Sequence, residues 1–198
     1  MSLYIVPTPI GNLSDITLRA LEVLQEVSAI ACEDTTHTRK LLNHYEIKKR
    51  LIHYDDSRGE EGLKEVLNLL RKGESVALVS DAGMPFISDP GHLLIKASEE
   101  EGFKLEVLPG PSAFINAWVH AGMGGPFSFF GFLPRKKGEL LARLSELKSH
   151  KEALIFYEAP HRLQKTLEAI EGVFGERKLV IARELTKKFE EVIRTTTT

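Results

Sequence analysis

Four short segments concentrate the groups that could do chemistry. The first is Glu33-Asp34-Thr35-Thr36-His37-Thr38-Arg39, where carboxylates, hydroxyls, an imidazole and a guanidinium stand side by side. Glu33, Asp34 or His37 could take a proton from a weakly acidic group. The structural alternative is a helix cap at Asp34 or Thr35. The second is Ser80-Asp81-Ala82-Gly83-Met84-Pro85-Phe86-Ile87-Ser88-Asp89-Pro90-Gly91. Its glycines let main chain approach a ligand and its prolines stiffen the bend. Asp81 and Asp89 offer acceptors for hydroxyls, an amino group or a cation; Ser88 or Asp89 could instead cap a helix. The third and fourth, Phe156-Tyr157-Glu158-Ala159-Pro160-His161-Arg162 and Ala182-Arg183-Glu184-Leu185-Thr186-Lys187, each set a carboxylate beside basic groups. Surface ion pairs would explain them equally well.

The elements that must carry these segments alternate. Leu3-Tyr4-Ile5-Val6 reads as a buried strand, ended by Pro7-Thr8-Pro9-Ile10-Gly11-Asn12. A helix is expected from about Asp15, with Ile16, Ala20, Leu24 and Val27 on one face. Strands follow at 29–32, 51–54, 76–79 and 105–108, with helices between them. Near-continuous apolar strands alternating with helices indicate an α/β domain with a mainly parallel, covered sheet and helices on both faces. Loops at the carboxyl ends of such strands form the usual ligand crevice. Residues 7–13, 33–39 and 81–91 all fall there. Pro109-Gly110-Pro111 marks a boundary, giving an N-terminal domain over 1–110 and a smaller α/β domain over 111–198. The second half reads as a helix over 112–121 and strands at 127–132, 153–157 and 179–183. Two further helices and an edge strand at 189–194, pairing back as a hairpin, complete a mixed sheet. The last four threonines are expected to fray.

Composition narrows the class. Over 198 residues, 42% are hydrophobic and 27% charged, with a formal net charge of −2. These are values of an ordinary globular chain, and any nucleic-acid contact must come from a local patch. Lys48-Lys49-Arg50 and Arg135-Lys136-Lys137 are short basic runs of that kind. The single cysteine, Cys32, excludes an intrachain disulfide framework and fits a reducing cytoplasm. No apolar stretch is long enough for a membrane span, and Pro7 comes too early for a secretory leader. The histidines have no ligand spacing, so no required metal is expected. There is no G-x-G-x-x-G, no phosphate loop of the Walker type and no nucleophile elbow.

In order, VPTPIGNLSDIT, ACEDTTHTRKLL, SDAGMPFISDPG, LPGPSAFINA, GFLPRKKGE, FYEAPHRL and ARELTKKFEE resemble the tetrapyrrole methylase-like S-adenosylmethionine methyltransferases. Within them the match is to the bacterial enzymes that 2′-O-methylate a cytidine ribose of 16S rRNA in the small ribosomal subunit. The resemblance runs from Leu3 to about Arg194. It implies two α/β domains with the methyl donor in the cleft between them, cytoplasmic residence and a homodimer. It implies donor contacts, largely through main chain, from Pro9, Ile10, Gly83, Met84, Ile87, Ser112, Ala113, Tyr157, Arg183, Glu184 and Leu185. The proton acceptor stays open among Glu33, Asp34, His37, Asp81 and Glu158. With rRNA as partner, Arg39, Arg135, Lys136, Lys137 and Arg162 become phosphate-holding residues. Met84, Thr36 and Ala159 depart from the commoner threonine, arginine and serine, and the second domain is expected to be shortened at its end. Two other enzyme readings are a tetrapyrrole or other small-molecule methylase of the same fold, and a metal-dependent phosphohydrolase using Asp55, Asp56, Asp81 and Asp89. A third reading is a catalytically silent rRNA-binding relative.

Overall fold

The computed structural model of the chain describes residues 1–56 and 60–197. It divides into two compact units, Met1–Ser112 and Ala113–Thr198.

The first unit is a five-stranded sheet of β1 (Ser2–Val6), β2 (Ala29–Cys32), β3 (Arg50–His53), β4 (Val76–Val79) and β5 (Lys104–Val107). The order is β3-β2-β4-β1-β5 and every pair is parallel. All four residues of β2 and of β4 are buried, as strands covered on both faces must be. Alternate residues feed two cores. Leu3, Ile5, Ala31, Ile52 and Leu78 pack with Val66, Leu67 and Leu70 of α3 (Glu60–Arg71) and Leu94 of α4 (His92–Glu100). On the other face Val6, Ile30, Cys32 and Val79 pack with Ala20, Val23 and Leu24 of α1 (Leu18–Glu26) and Leu42 of α2 (Thr35–His44). The first helix starts at Leu18 rather than near Asp15, because Thr17 accepts the Ala20 amide (3.1 Å) and caps it. Residues 13–15 form only a short 3-10 turn.

The chain steps outward from β1 to β3 and then returns to place β4 between β2 and β1. The loops leaving β1, β2 and β4 are therefore neighbours at one end of the sheet, and they are the polar segments picked out in the sequence.

The second unit holds α5 (Ala113–Ala121), β6 (Phe127–Phe132), α6 (Lys137–Leu147), β7 (Ala153–Tyr157), α7 (Leu163–Phe174), β8 (Lys178–Arg183) and β9 (Glu191–Thr196). Both strand directions expected of a mixed sheet occur, distributed over two pairs. β6 and β7 are parallel with a bulge between Phe129 and Phe132, and β8 and β9 form an antiparallel hairpin. Leu133, Leu140 and Leu144 pack with Phe156, Ile170 and Val173 as this unit's core. Of the four threonines expected to fray, Thr195, Thr196 and Thr197 are held by hydrogen bonds. Thr195 and Thr196 pair with Leu179 and Lys178, and Thr197 Oγ1 donates to Gly175 O (2.7 Å) while accepting from Arg177 N (3.0 Å). Threonine's β preference and its hydroxyl extend the hairpin to 191–196 instead of 189–194. Thr198 lies outside the described residues.

Candidate functional site

The loops after β1 and β4 are stitched together. Thr8 N donates to Gly83 O (2.9 Å) and Gly83 N to Thr8 O (3.0 Å), an isolated antiparallel bridge beyond the ends of two parallel strands. Thr8 Oγ1 donates to Ser80 O (3.0 Å), and Ser80 Oγ donates to Gly83 O (3.0 Å). Gly83 sits at φ +84°, and a Cβ there would come 3.2 Å from Ile10 Cγ2 and 3.4 Å from Pro111 O. Phe86 (φ +75°) and Ser88 (φ +65°) are non-glycine residues in the left-handed region. Each costs of order 1–3 kcal/mol and persists only where the surroundings hold it.

The far end of the same loop is held from β3. Asp56 accepts the amides of Gly91 (2.9 Å) and His92 (3.1 Å), capping α4 from a distant segment because Gly91 has no side chain to do so. The buried Tyr54 hydroxyl donates to Asp56 and accepts the Leu94 amide (3.0 Å). Burial works against the Asp56 carboxylate, but the Tyr54, Gly91 and His92 donors prevail and hold its pKa below the usual range. Tyr54 itself is pushed well above the ordinary phenol range by burial and by this carboxylate.

Five carboxylate or imidazole groups came from the sequence as proton acceptors, and the structure separates them. Asp34 caps α2, accepting Thr36 N (2.7 Å) and His37 N (3.0 Å), and those amide bonds lower its pKa. His37 and Arg39 stand exposed on the first two turns of that helix. Glu158, in the second unit, accepts Ala159 N (2.8 Å) and Thr166 Oγ1 (2.6 Å) and faces Arg162 Nε at 3.5 Å. It is bound into the start of α7. Glu33 and Asp81 come together with Asp89, which is not among the five proton-acceptor candidates taken from the sequence. Burial first, then the charges of Glu33 and Asp81, push Asp89 up to about 6. The Asp81 Oδ1 atom is buried with no hydrogen-bond partner among the described residues. Burial also raises the Cys32 thiol, with Asp81 and Asp34 adding to the effect, so this cysteine is inert packing.

Donor-contact residues expected from the resemblance are distributed over both units. In the first, Pro9 is buried and Ile10 half-buried beside Gly83; Met84 turns its side chain to the α3/α4 core, leaving main chain to the loop surface, and Ile87 follows. Ser112 ends this unit and Ala113 opens α5 of the second. In the second unit Tyr157 ends β7 in an aromatic group with Phe129 (4.9 Å between ring centroids) and Phe132 (5.5 Å). Arg183 ends β8, paired with Glu191 (2.5 Å); Glu184 takes φ +52° and pairs with Lys187 (3.1 Å); Leu185 is buried.

The chemistry of the first-unit loops suits a donor nucleoside. A fixed main-chain ribbon without a Cβ at Gly83 allows close approach, and the orphaned Asp81 oxygen is an acceptor awaiting a hydroxyl or amino donor. The four-aspartate metal site does not form: Asp56 is spent on Tyr54 and α4. Among the described residues no three His, Cys, Asp or Glu side chains gather at metal-binding spacing.

The family model of the tetrapyrrole (corrin/porphyrin) methylases matches residues 2–198. The chain belongs to that family. Its members transfer methyl groups, and that is the reaction class of this chain. Within the family it is similar to the Bacillus subtilis ribosomal RNA small subunit methyltransferase I, at 47% identity over 98% of this chain and 67% of that protein. The Thermotoga maritima protein of the same name is 47% identical over 97% of this chain and 86% of its own length. The chain thus spans about two thirds of the first of these relatives. The fold is shared with cobalt precorrin-4 methyltransferase, at TM-score 0.74 and 20% identity, covering 99% of this chain and 85% of that one. It is shared too with Thermus thermophilus uroporphyrin-III-C-methyltransferase, at TM-score 0.71 and 19% identity over 99% and 85%. Among the described residues no helix is long and apolar enough to cross a membrane.

Proposed function

We propose that this methylase uses S-adenosylmethionine to methylate the ribose 2′-hydroxyl of a cytidine in 16S rRNA, acting in the cytoplasm as a homodimer. The observation that carries the substrate is the full-chain similarity, at 45–48% identity, to proteins named for the small-subunit rRNA reaction. Tetrapyrrole-acting relatives share the fold at about 20% identity.

The donor supplies an electrophilic methyl group on a sulfonium. The chain must hold it, align the hydroxyl and remove a proton. Main chain of Pro9, Ile10, Gly83, Met84 and Ile87 is fixed by the Thr8–Gly83 bridge before any ligand arrives, so little ordering entropy remains to be lost on binding. To these the resemblance adds Ser112 at the end of the first unit and Ala113, Tyr157 and Arg183 to Leu185 of the second as donor-contact residues. A 2′-hydroxyl is a weak acid, so the acceptor should titrate not far below working pH. The Glu33–Asp81–Asp89 group meets that need, with Asp89 as the member we assign to the proton. Asp34 and Glu158 are committed to helix starts.

The test is transfer of labelled methyl from S-adenosylmethionine to small ribosomal subunits whose 16S rRNA lacks ribose methylation, against porphyrinoid acceptors in parallel. The 2′-O-methyl mark should appear on one cytidine. Transfer to the porphyrinoid alone overturns the reading.

A further inference from the structure

The second unit carries a concavity of about 980 Å³ between α6 and α7. Its floor is apolar and small, with Leu140, Ala169 and Gly172. A Cβ on Gly172 would meet nothing, so the groove is open above that helix. Its rim is cationic: Arg135 and Lys137 on the α6 side, His161 and Lys165 on the α7 side. Among the described residues none of Arg135, Lys137 and Lys165 has a carboxylate within ion-pair distance, unlike Lys136, which pairs with Glu139 at 3.1 Å. The one acidic residue of the lining, Glu168, accepts from Gln164 (3.1 Å). Cations facing one another across a groove repel, and an anion between them reverses the sign, a chain of phosphates serving all of them at once. α7 also begins against its own dipole, with Arg162 at the N-cap, no acidic residue in its first turn and no side-chain cap bond. His161, in the 3-10 turn Pro160–Arg162 just before α7, and Lys165, in the first turn of α7, line the same side of the groove. The apolar floor suits the face of an unstacked base.

We infer that this groove seats a single-stranded stretch of RNA, phosphates on Arg135, Lys137 and Lys165 and a splayed base on the Leu140–Ala169 floor. This rests on the rRNA reading above and deepens it by locating a substrate-holding surface. Arg162 acts differently from the rim: its guanidinium donates to Leu133 O (3.3 Å) and Pro134 O (2.9 Å), so it shapes the wall as a positioning residue.

The experiment uses the triple variant Arg135→Gln/Lys137→Gln/Lys165→Gln, with exposed Lys72→Gln as control. Binding to a short single-stranded RNA and to small ribosomal subunits is measured across a salt series, beside S-adenosylmethionine titration and thermal melting. The slope of log affinity against log salt should fall by about 2, three single-strand phosphate contacts at about 0.7 each. The KM for subunits should rise at least tenfold, with donor affinity and melting unchanged, and Lys72→Gln should match wild type. An unchanged slope and KM in a folded triple variant overturns the groove while wild-type methylation upholds the function. Loss of binding to subunits with naked RNA binding retained makes the occupant a ribosomal protein and also overturns it. If wild type methylates no subunit yet its salt-dependent RNA binding disappears in the triple variant, the groove stands and the methylation reading fails.

Discussion

Thr8 and Gly83 exchange both main-chain hydrogen bonds, at 2.9 and 3.0 Å, across the ends of β1 and β4. Parallel strands side by side normally diverge into separate loops, so this bridge converts two loops into one surface. It explains why Gly83 has to be glycine: the bridge sets φ at +84°, and Ile10 and Pro111 close the space a side chain would need. Gly83→Ala should cost about 1–2 kcal/mol in chemical denaturation, from the left-handed backbone and the tight contacts together. It should weaken S-adenosylmethionine at least tenfold in calorimetric titration. Normal donor affinity in the variant would separate the bridge from the donor.

Tyr54 and Asp56 hold the other end of the β4 loop. Tyr54→Phe removes the hydroxyl that the Leu94 amide donates to, inside the core where Tyr54 is 2% exposed. A buried amide left without a partner costs about 1–3 kcal/mol. Asp56→Ala should cost a similar amount by uncapping α4. Urea denaturation checks both, and the two together should destabilise by less than the sum, since they share one network. Full additivity would mean the two side chains act separately.

Asp89 gives the site its pH signature. Folded, its pKa stands at about 6; unfolded, it titrates near about 4. Between those values the folded chain holds more protons than the unfolded one, so this group's contribution to stability falls as pH rises from about 4 to about 6 and is level above. Asp89→Asn should therefore melt higher than wild type at pH 8, with the difference shrinking to nothing near pH 4. The methyl-transfer rate should run the opposite way, climbing through about pH 6 in wild type as the carboxylate forms. The Asn variant should lose about 10²–10⁴-fold in kcat while keeping donor affinity. A melting difference constant across that range would show that Asp89 does not titrate as described.

The parallel sheet was legible because β2 and β4 are unbroken apolar runs, and the three chemical loops were legible because they follow such runs directly. The choice among carboxylates was not. Nothing local distinguishes Asp34, which caps the helix starting at the next residue, from Glu33 beside it; the neighbours Asp81 and Asp89, brought by the loop after β4, do that. Asp56 looked like a metal ligand because its partners, Gly91 and His92, lie 35 and 36 residues away. The terminal hairpin was placed two residues early, since the threonine run reads as low complexity until Leu179 and Lys178 lie opposite it. The α6–α7 groove left only a faint trace, the Arg135-Lys136-Lys137 run, because its other wall is supplied by α7.

Glu158 is a carboxylate that builds, in contrast to the one proposed to take the proton. One of its oxygens takes the Ala159 amide at 2.8 Å and lies 3.5 Å from Arg162, while the other takes the Thr166 hydroxyl at 2.6 Å. Arg162 in turn supports the carbonyls of Leu133 and Pro134, so the carboxylate anchors the turn before α7 to the end of β6. Glu158→Gln keeps the shape but removes a charge that is 8% exposed and faces a guanidinium that is 18% exposed. Leaving that half-buried guanidinium without its counter-ion should cost about 1–3 kcal/mol, visible as a lower denaturation midpoint. On the proposed assignment of the proton to Asp89, the pH dependence of methyl transfer should keep its rise through about 6. Were the Gln variant to fold normally yet lose that rise, the proton acceptor would lie in the second unit and the assignment to Asp89 would be wrong.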